Sequence, residues 1–558
     1  MISRRDVADV TPEGGTAVNG LSAASSGSMS RRVVLRWLVG GTVGAGAGAF
    51  FGGVGPRAGA VTPPGRRLAS PYLATGGRSG SSAVADKAAV PQLVAAPTRA
   101  TKDGTQVFMS RPDLQPPIVT IDVPSDAAAL PGLVLTNSSA GPSQQGALMI
   151  DGSGDLVWFL PSSAASNVRA QTYKGKPIVS WFEGEIVDGH GEGHYELYDT
   201  TYQQVAQVYA SGDYQGDLHE FLLTASGSAL FTCYGQATAD LSSVGGANEG
   251  SYYYGVVQEV DVATGDLLFQ WRSDDHVGFD ESYVAAPESG GTPWDYFHIN
   301  SIDVDPTDGN LIVSSRHCWA AYKVDRASGA IIWRLNGKKS DFTMGAGAHF
   351  AFQHDVRRHL DGGVTIFDDE GGPPNEATQS RGLVLDLDET SRQATVNTEY
   401  HHLPPVLTQA LGSIQVLGQG HHFVGWGESS YFTEYDASGK VVFDGHLTSG
   451  VASYRAFKEP WAGWPAGNPD TAVATGLGTG TAIVYVSWNG ATEVDSWSVL
   501  GGTDAQELAV LGVASRAGFE TAITVPQAPA YLAVEALDSG GHVLGRSSVV
   551  SFVVGDAR

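Results

Sequence analysis

The sequence predicts an all-β protein: a β-propeller of about six blades, followed by a fibronectin III-like or immunoglobulin-like β-sandwich. Three observations carry this reading. Glycine (72) and proline (27) are plentiful and charged residues make up only 16% of the chain, while short Val/Ile/Tyr/Trp runs lie between turn signals, as in strands joined by tight turns. Two kinds of hairpin alternate between residue 130 and about residue 465. After Pro469 the alternation stops and clean period-two strands take over. At 558 residues, one compact core is excluded unless it is repetitive.

Taken in order, residues 1–60 read as an export signal. Ser30-Arg31-Arg32-Val-Val-Leu35-Arg36 precedes a glycine-diluted apolar run from Trp37 to Val54, and Arg57-Ala-Gly-Ala60 offers a small-residue cleavage site. So much glycine disfavours the alternative, a membrane anchor, and no stable membrane insertion is expected. Met29 is a second candidate start. Residues 61–97 are Pro, Gly, Ser and Ala without apolar periodicity and read as a disordered linker. The propeller is placed at 98–468, opening with wrapping strands because Pro112, Pro116 and Pro117 suit an edge.

The first hairpin kind appears in Ala147–Trp158, Val257–Trp271, Ala321–Trp333 and, more faintly, Thr433–Phe443, each turning on an Asp/Ser/Thr/Gly cluster. The second begins at His219, Asn300 and His354. One of each makes a four-stranded unit, and units in a ring make a propeller; a stack of sandwiches explains the strands but not the alternation. Residues 469–558 form the sandwich, with Trp488 and Trp497 as core candidates. Cys233 and Cys318 cannot make a disulfide framework and read as buried thiols or one bridge. The net charge of -26 speaks against nucleic acid as a partner.

The innermost strands of a propeller face one another across its axis, so His219, His298 and His354 should meet although they lie 79 and 56 residues apart. Arg316 ends the strand pairing back from His298, and Asn300, two residues on from His298, should share its strand face. Three histidines invite zinc, but a guanidinium repels a divalent cation and pairs with an oxyanion, so no metal or other cofactor is expected. Arginine with imidazole donors fits a sulfuryl or phosphoryl group, and a neutral imidazole is a competent nucleophile toward either. Asp188-Gly-His190-Gly-Glu192-Gly-His194 could bind a cation, with a plain loop as the preferred reading.

The motifs Asp217-Leu-His219-Glu220, Phe297-His298-Ile-Asn300-Ser, Ser314-Ser-Arg316 and Gln353-His354-Asp, with Trp333-Arg-Leu-Asn-Gly and Phe367-Asp-Asp, resemble the secreted, PAPS-independent β-propeller arylsulfotransferases over roughly residues 105–450. The step of eighteen residues from His298 to Arg316 matches that family. The resemblance implies that His354 becomes a transient sulfohistidine. It also implies that His219, His298, Asn300 and Arg316 hold the sulfate oxygens or move the phenolic proton. Substrates would be aryl sulfates and phenols, exchanged by ping-pong without nucleotide donor or metal. The family's short disulfide-closed loop and its acceptor loops are not recognisable here. Two other readings are a cell-surface propeller binding glycan or protein, and a quinoprotein-like dehydrogenase.

Overall fold

The computed structural model describes residues 90–289, 291–475 and 480–551; the signal reading for residues 1–60, and residues 61–89 of the linker, lie outside them. The described chain is all-β, with only short 3-10 turns between strands. Among the described residues no helix is long and apolar enough to cross a membrane.

Six antiparallel units follow one another. The first is Leu133–Ser138, Gly146–Ile150 and Leu156–Pro161. The second runs from Ala165–Tyr173 through Lys176–Val187 and His190–Asp199 to Gln204–Val208. The third contains Gly216–Leu223, Ser228–Ala239, Gly250–Asp261 and Leu267–Arg272. The fourth contains Ile299–Val304, Leu311–Ser315, Ala320–Val324 and Ile331–Leu335. The fifth contains His354–Arg358, Gly363–Asp368, Arg381–Asp388 and Gln393–Tyr400. The sixth contains Ser413–Val416, His422–Gly425, Tyr431–Tyr435 and Val441–Leu447.

Both hairpin kinds read from the sequence are present, the second as strands one and two of a unit and the first as strands three and four. Each unit is apolar on both faces and so must be covered twice. Trp158 and Trp181 pack between units one and two, Trp333 between four and five, and Phe423 and Phe443 between six and one. Phe457–Glu459 supplies the missing strand of the first unit, pairing Phe457 with Leu135 across more than three hundred residues. Val119–Val123 adds a fifth, outer strand to the sixth unit.

Two further sheets enclose a core of Val484, Trp497, Val499, Ile523 and Val534. The sequence reading is corrected here in two places. Val94–Pro97, placed in the disordered linker, is an ordered edge strand paired with Glu520–Val525, because its backbone completes that sheet. Trp488 is partly exposed, its indole N–H donating to the Gly467 carbonyl at 2.9 Å, so Trp497 alone of the two belongs to the core. Cys233 and Cys318 are buried free thiols.

Candidate functional site

The first strands of units two to five each carry a register shift, between Ser166 and Arg169, Gly216 and Phe221, Ile299 and Ser301, and His354 and Arg357. Positive φ accompanies three of them, at Asn167 (54°), His298 (49°) and Asp355 (54°). A bulge breaks the two-residue alternation and re-aims side chains, and here it turns them toward the line where the first strands of successive units meet.

Three predicted histidines come together. The His219 ring centroid lies 5.0 Å from that of His298 and 6.3 Å from that of His354. Each is anchored alike: Nδ1 donates to Asp217 Oδ2 at 2.8 Å in His219, to Asp295 Oδ2 at 2.5 Å in His298, and to Asp369 Oδ2 at 2.8 Å in His354. A carboxylate on Nδ1 fixes the tautomer and leaves Nε2 as the reactive lone pair. The Leu411 N–H, 3.3 Å from His354 Nε2, agrees with this assignment.

Arg316 reaches the same place. Its backbone N–H bonds the His298 carbonyl at 2.9 Å, Nη1 donates to His317 Nε2 at 2.9 Å and Nη2 to the Gln409 carbonyl at 2.6 Å, while its buried Nε lacks a partner among the described residues. Asn300 departs from expectation. It is the extra residue of its bulge, and its Nδ2 donates to the Gln353 carbonyl at 2.6 Å, bracing the residue before His354, while its buried Oδ1 has no partner among the described residues.

Burial and neighbouring charge keep His298 and His354 neutral. Burial holds His354 well below the usual histidine range, helped by the Arg316 charge and by His219 and His298. His298 is depressed by burial, His219 and Arg316. Asp369 is pushed well above the carboxylate range by burial and by Asp368, with Arg316 opposing. Burial would raise Asp217 too, but the charge and hydrogen bond of His219, with donors from Gly191 and Thr232, bring it down to about 2.

Directly adjacent in sequence to these histidines is a buried ionic hub. Glu220 accepts from Arg357 at 2.5 Å and Arg455 at 3.3 Å, with Arg169 at 3.6 Å; Asp355 accepts from Arg357 at 2.6 Å. Asp303 also acts on Arg357 and Glu459 on Arg169, so the hub gathers charges of both signs inside a chain whose net charge is -26. Arg455 is among the charges that depress His354.

Asp295, His298 and His317 could geometrically hold a cation. Their chemistry fits one poorly. His298 Nδ1 bonds Asp295, His317 Nδ1 bonds the Asp295 carbonyl at 2.5 Å, and the Arg316 guanidinium occupies His317 Nε2.

Sequence reasoning missed the three carboxylate anchors as such, together with Tyr234, and weighed His190 only as part of a possible cation site. Asp217 and Asp295 stand two and three residues before their histidines and were legible as Asp-x-His and Asp-x-x-His; Asp369 is paired only by the fold. The stretch 188–194 is no plain loop. Asp188 and Gly189 make the turn of a long hairpin and residues 190–194 open its second strand, whose Gly191 N–H donates to Asp217 Oδ1 at 2.6 Å.

Residues 169–448, half of the chain, match the arylsulfotransferase family. The chain belongs to that family. The matched span starts at the hub residue Arg169 and takes in His219, His298, Arg316, His354 and Asp369. Membership makes it a sulfotransferase, with aryl sulfates and phenols as the implied substrates. No curated protein matches the chain. Among solved structures, a protein of unknown function from Bacteroides caccae is 11% identical (TM-score 0.37), covering 59% of this arylsulfotransferase family member and 99% of its own chain. The periplasmic gluconolactonase of Pseudomonas aeruginosa is 12% identical (TM-score 0.33), covering 75% and 96%. Virginiamycin B lyase from Staphylococcus aureus is 8% identical (TM-score 0.31), covering 73% and 99%. Likenesses of this size decide nothing about fold or chemistry.

Proposed function

We propose that this protein moves a sulfuryl group from a phenolic sulfate ester to a phenol in two half-reactions, with His354 carrying the group between them and no nucleotide donor taking part. In the first, the His354 Nε2 lone pair attacks sulfur; an N–S bond forms, the S–O(aryl) bond breaks, and its electron pair leaves on the phenolate. In the second, the acceptor oxygen attacks, the N–S bond breaks and its pair returns to Nε2. Arg316 and the Nε2 sides of His219 and His298 hold the sulfuryl oxygens as they gain charge. The observation that carries the proposal is the Asp369–His354 pair. It presents a neutral imidazole beside Arg316, His219 and His298, with Nε2 accepting in the resting protein from the Leu411 N–H at 3.3 Å.

The proposed frame is a closed six-bladed propeller, supported by the pairing of Phe457–Glu459 with the first unit and by apolar cores between successive units. The C-terminal sheets would be a fibronectin III-like module, and residues 1–60 a twin-arginine export signal. The test of function is incubation with an aryl sulfate followed by intact-mass measurement of the quenched protein. Wild type should gain one sulfuryl group and pass it to an added phenol, and His354→Ala should gain none. An adduct that persists in His354→Ala, or no adduct across a broad donor panel, overturns the proposal.

A further inference from the structure

We propose that His190 is the residue that binds the hydroxyl of the acceptor phenol and removes its proton, a role that rests on the sulfuryl-transfer reading above. The three histidines of the central cluster each spend Nδ1 on a carboxylate. His190 does not. It is 3% exposed, its Nδ1 is sealed from solvent without a partner, and neither ring nitrogen bonds a group among the described residues. A buried polar atom without a partner is unfavourable, so such an atom points to a ligand that pairs it.

Its surroundings suit a phenol. The His190 ring stacks on Tyr234 at 4.2 Å and meets Tyr253 edge-on at 4.7 Å. Both tyrosine hydroxyls are spent, on the Ile299 carbonyl at 2.8 Å and on Asp188 at 2.9 Å, so these residues offer rings and not protons. Tyr234 in turn lies 6.0 Å from His298 and 6.2 Å from His219, which puts the aromatic corner beside the sulfuryl centre. The hairpin backbone runs close against that centre: a side-chain carbon on Gly189 would stand 3.9 Å from His298 Cε1.

The groups facing His190 are Asp217, Asp295, Asp188, His219, His298, Tyr234 and Tyr253. Burial outweighs the carboxylates and pulls His190 below the ordinary histidine value, so it stands as a neutral base at neutral pH. Proton accounting closes over the cycle. His190 takes the acceptor's O–H proton as that oxygen bonds to sulfur and the pair of the N–S bond returns to His354. The proton then passes from His190 to solvent, which restores the neutral base; a leaving group as acidic as para-nitrophenol departs as the phenolate and needs no proton.

The test separates the half-reactions in His190→Gln. Loading by para-nitrophenyl sulfate should slow far less than discharge of the sulfo-protein to phenol. Discharge should lose about 100-fold or more, the usual contribution of a general base. The deficit should shrink as the acceptor phenol becomes more acidic, a dependence that a merely structural defect would not produce. Equal slowing of loading and of every acceptor, or no slowing of discharge, overturns the proposal. If wild type takes up no sulfuryl group from any donor, the transfer reading fails on its own. The phenol site is then judged by calorimetry of phenol binding to the resting protein, where an affinity unchanged in His190→Gln overturns it and one weakened at least tenfold sustains it.

Discussion

At the scale of single residues, reactivity comes down to which nitrogen of His354 is free. Asp369 bonds Nδ1, and this orients the ring as well as choosing the tautomer. Asp369→Asn removes the acceptor charge, and its amide can hold the wrong tautomer. By analogy with triads in which the orienting carboxylate is neutralised, sulfo-protein formation should fall about 100-fold or more with the fold intact, as read by quenched-flow mass measurement and circular dichroism. The pH dependence has a definite sign. His354 is held neutral far below its ordinary range, so protonation of the imidazole does not set the acid limb of loading. That limb belongs to the Asp369–His354 pair, and the buried Asp369 places it above the ordinary carboxylate range. Arg316 lowers both groups, so Arg316→Gln should move the limb to higher pH as well as slow loading; a limb that stays in place would show that the guanidinium does not act on the pair. The histidines and Arg316 were legible in the sequence because they recur at equivalent places of a repeat. The pairing of Asp369 with His354 was not, since Asp369 lies fifteen residues on, just past the end of the neighbouring strand, and only the hairpin brings them together.

At the scale of elements, the hairpins announced themselves through turn chemistry, while the bulges that aim the site did not. Asp261, Asp325 and Asp436 each cap their turns with backbone N–H bonds, and the glycines that follow take positive φ, so strand, turn and strand could be read directly. A bulge leaves no such mark. Its extra residue in unit four is Asn300, whose partners lie in another unit, and strict alternation does not hold across it. The glycine-rich 188–194 stretch was read as a loop because glycine also marks close backbone approach, which only the fold reveals. A side-chain carbon on Gly191 would stand 2.6 Å from the Leu218 backbone nitrogen and 2.7 Å from the Phe182 ring. Gly191→Ala should therefore lift the hairpin away from Asp217 and His190 away from the centre. Both half-reactions should slow, with a thermal midpoint lowered only modestly. Unchanged kinetics in that variant would mean that the hairpin does not position the site.

At the scale of the molecule, the site and the assembly of the units share one device. Glu220 from unit three, Asp355 and Arg357 from unit five, Arg169 from unit two and Arg455 from the segment leading into the last strand form one buried network, and Arg455 and Arg357 also bond the carbonyls of Asn300 and Ile302 in unit four. Composition hid this. A net charge of -26 gives no hint of a cluster of buried arginines, and Glu220 and Asp355 stand next to His219 and His354, where they read as flanking charges. Burying these ions costs several kcal/mol each, and the network offsets that cost only while it is complete. Glu220→Ala leaves Asp355 as the one carboxylate that Arg357 and Arg455 still share, at 2.6 and 3.6 Å. It should cost about 3–5 kcal/mol in urea unfolding, the range for breaking a buried pair. Removing Lys440, whose exposed side chain lies 3.7 Å from Asp126, should leave the midpoint where it was. Because the units meet at the hub, Glu220→Ala should also expose the first strands of units two to five to hydrogen exchange together; exchange confined to unit three would make the network local to its strand.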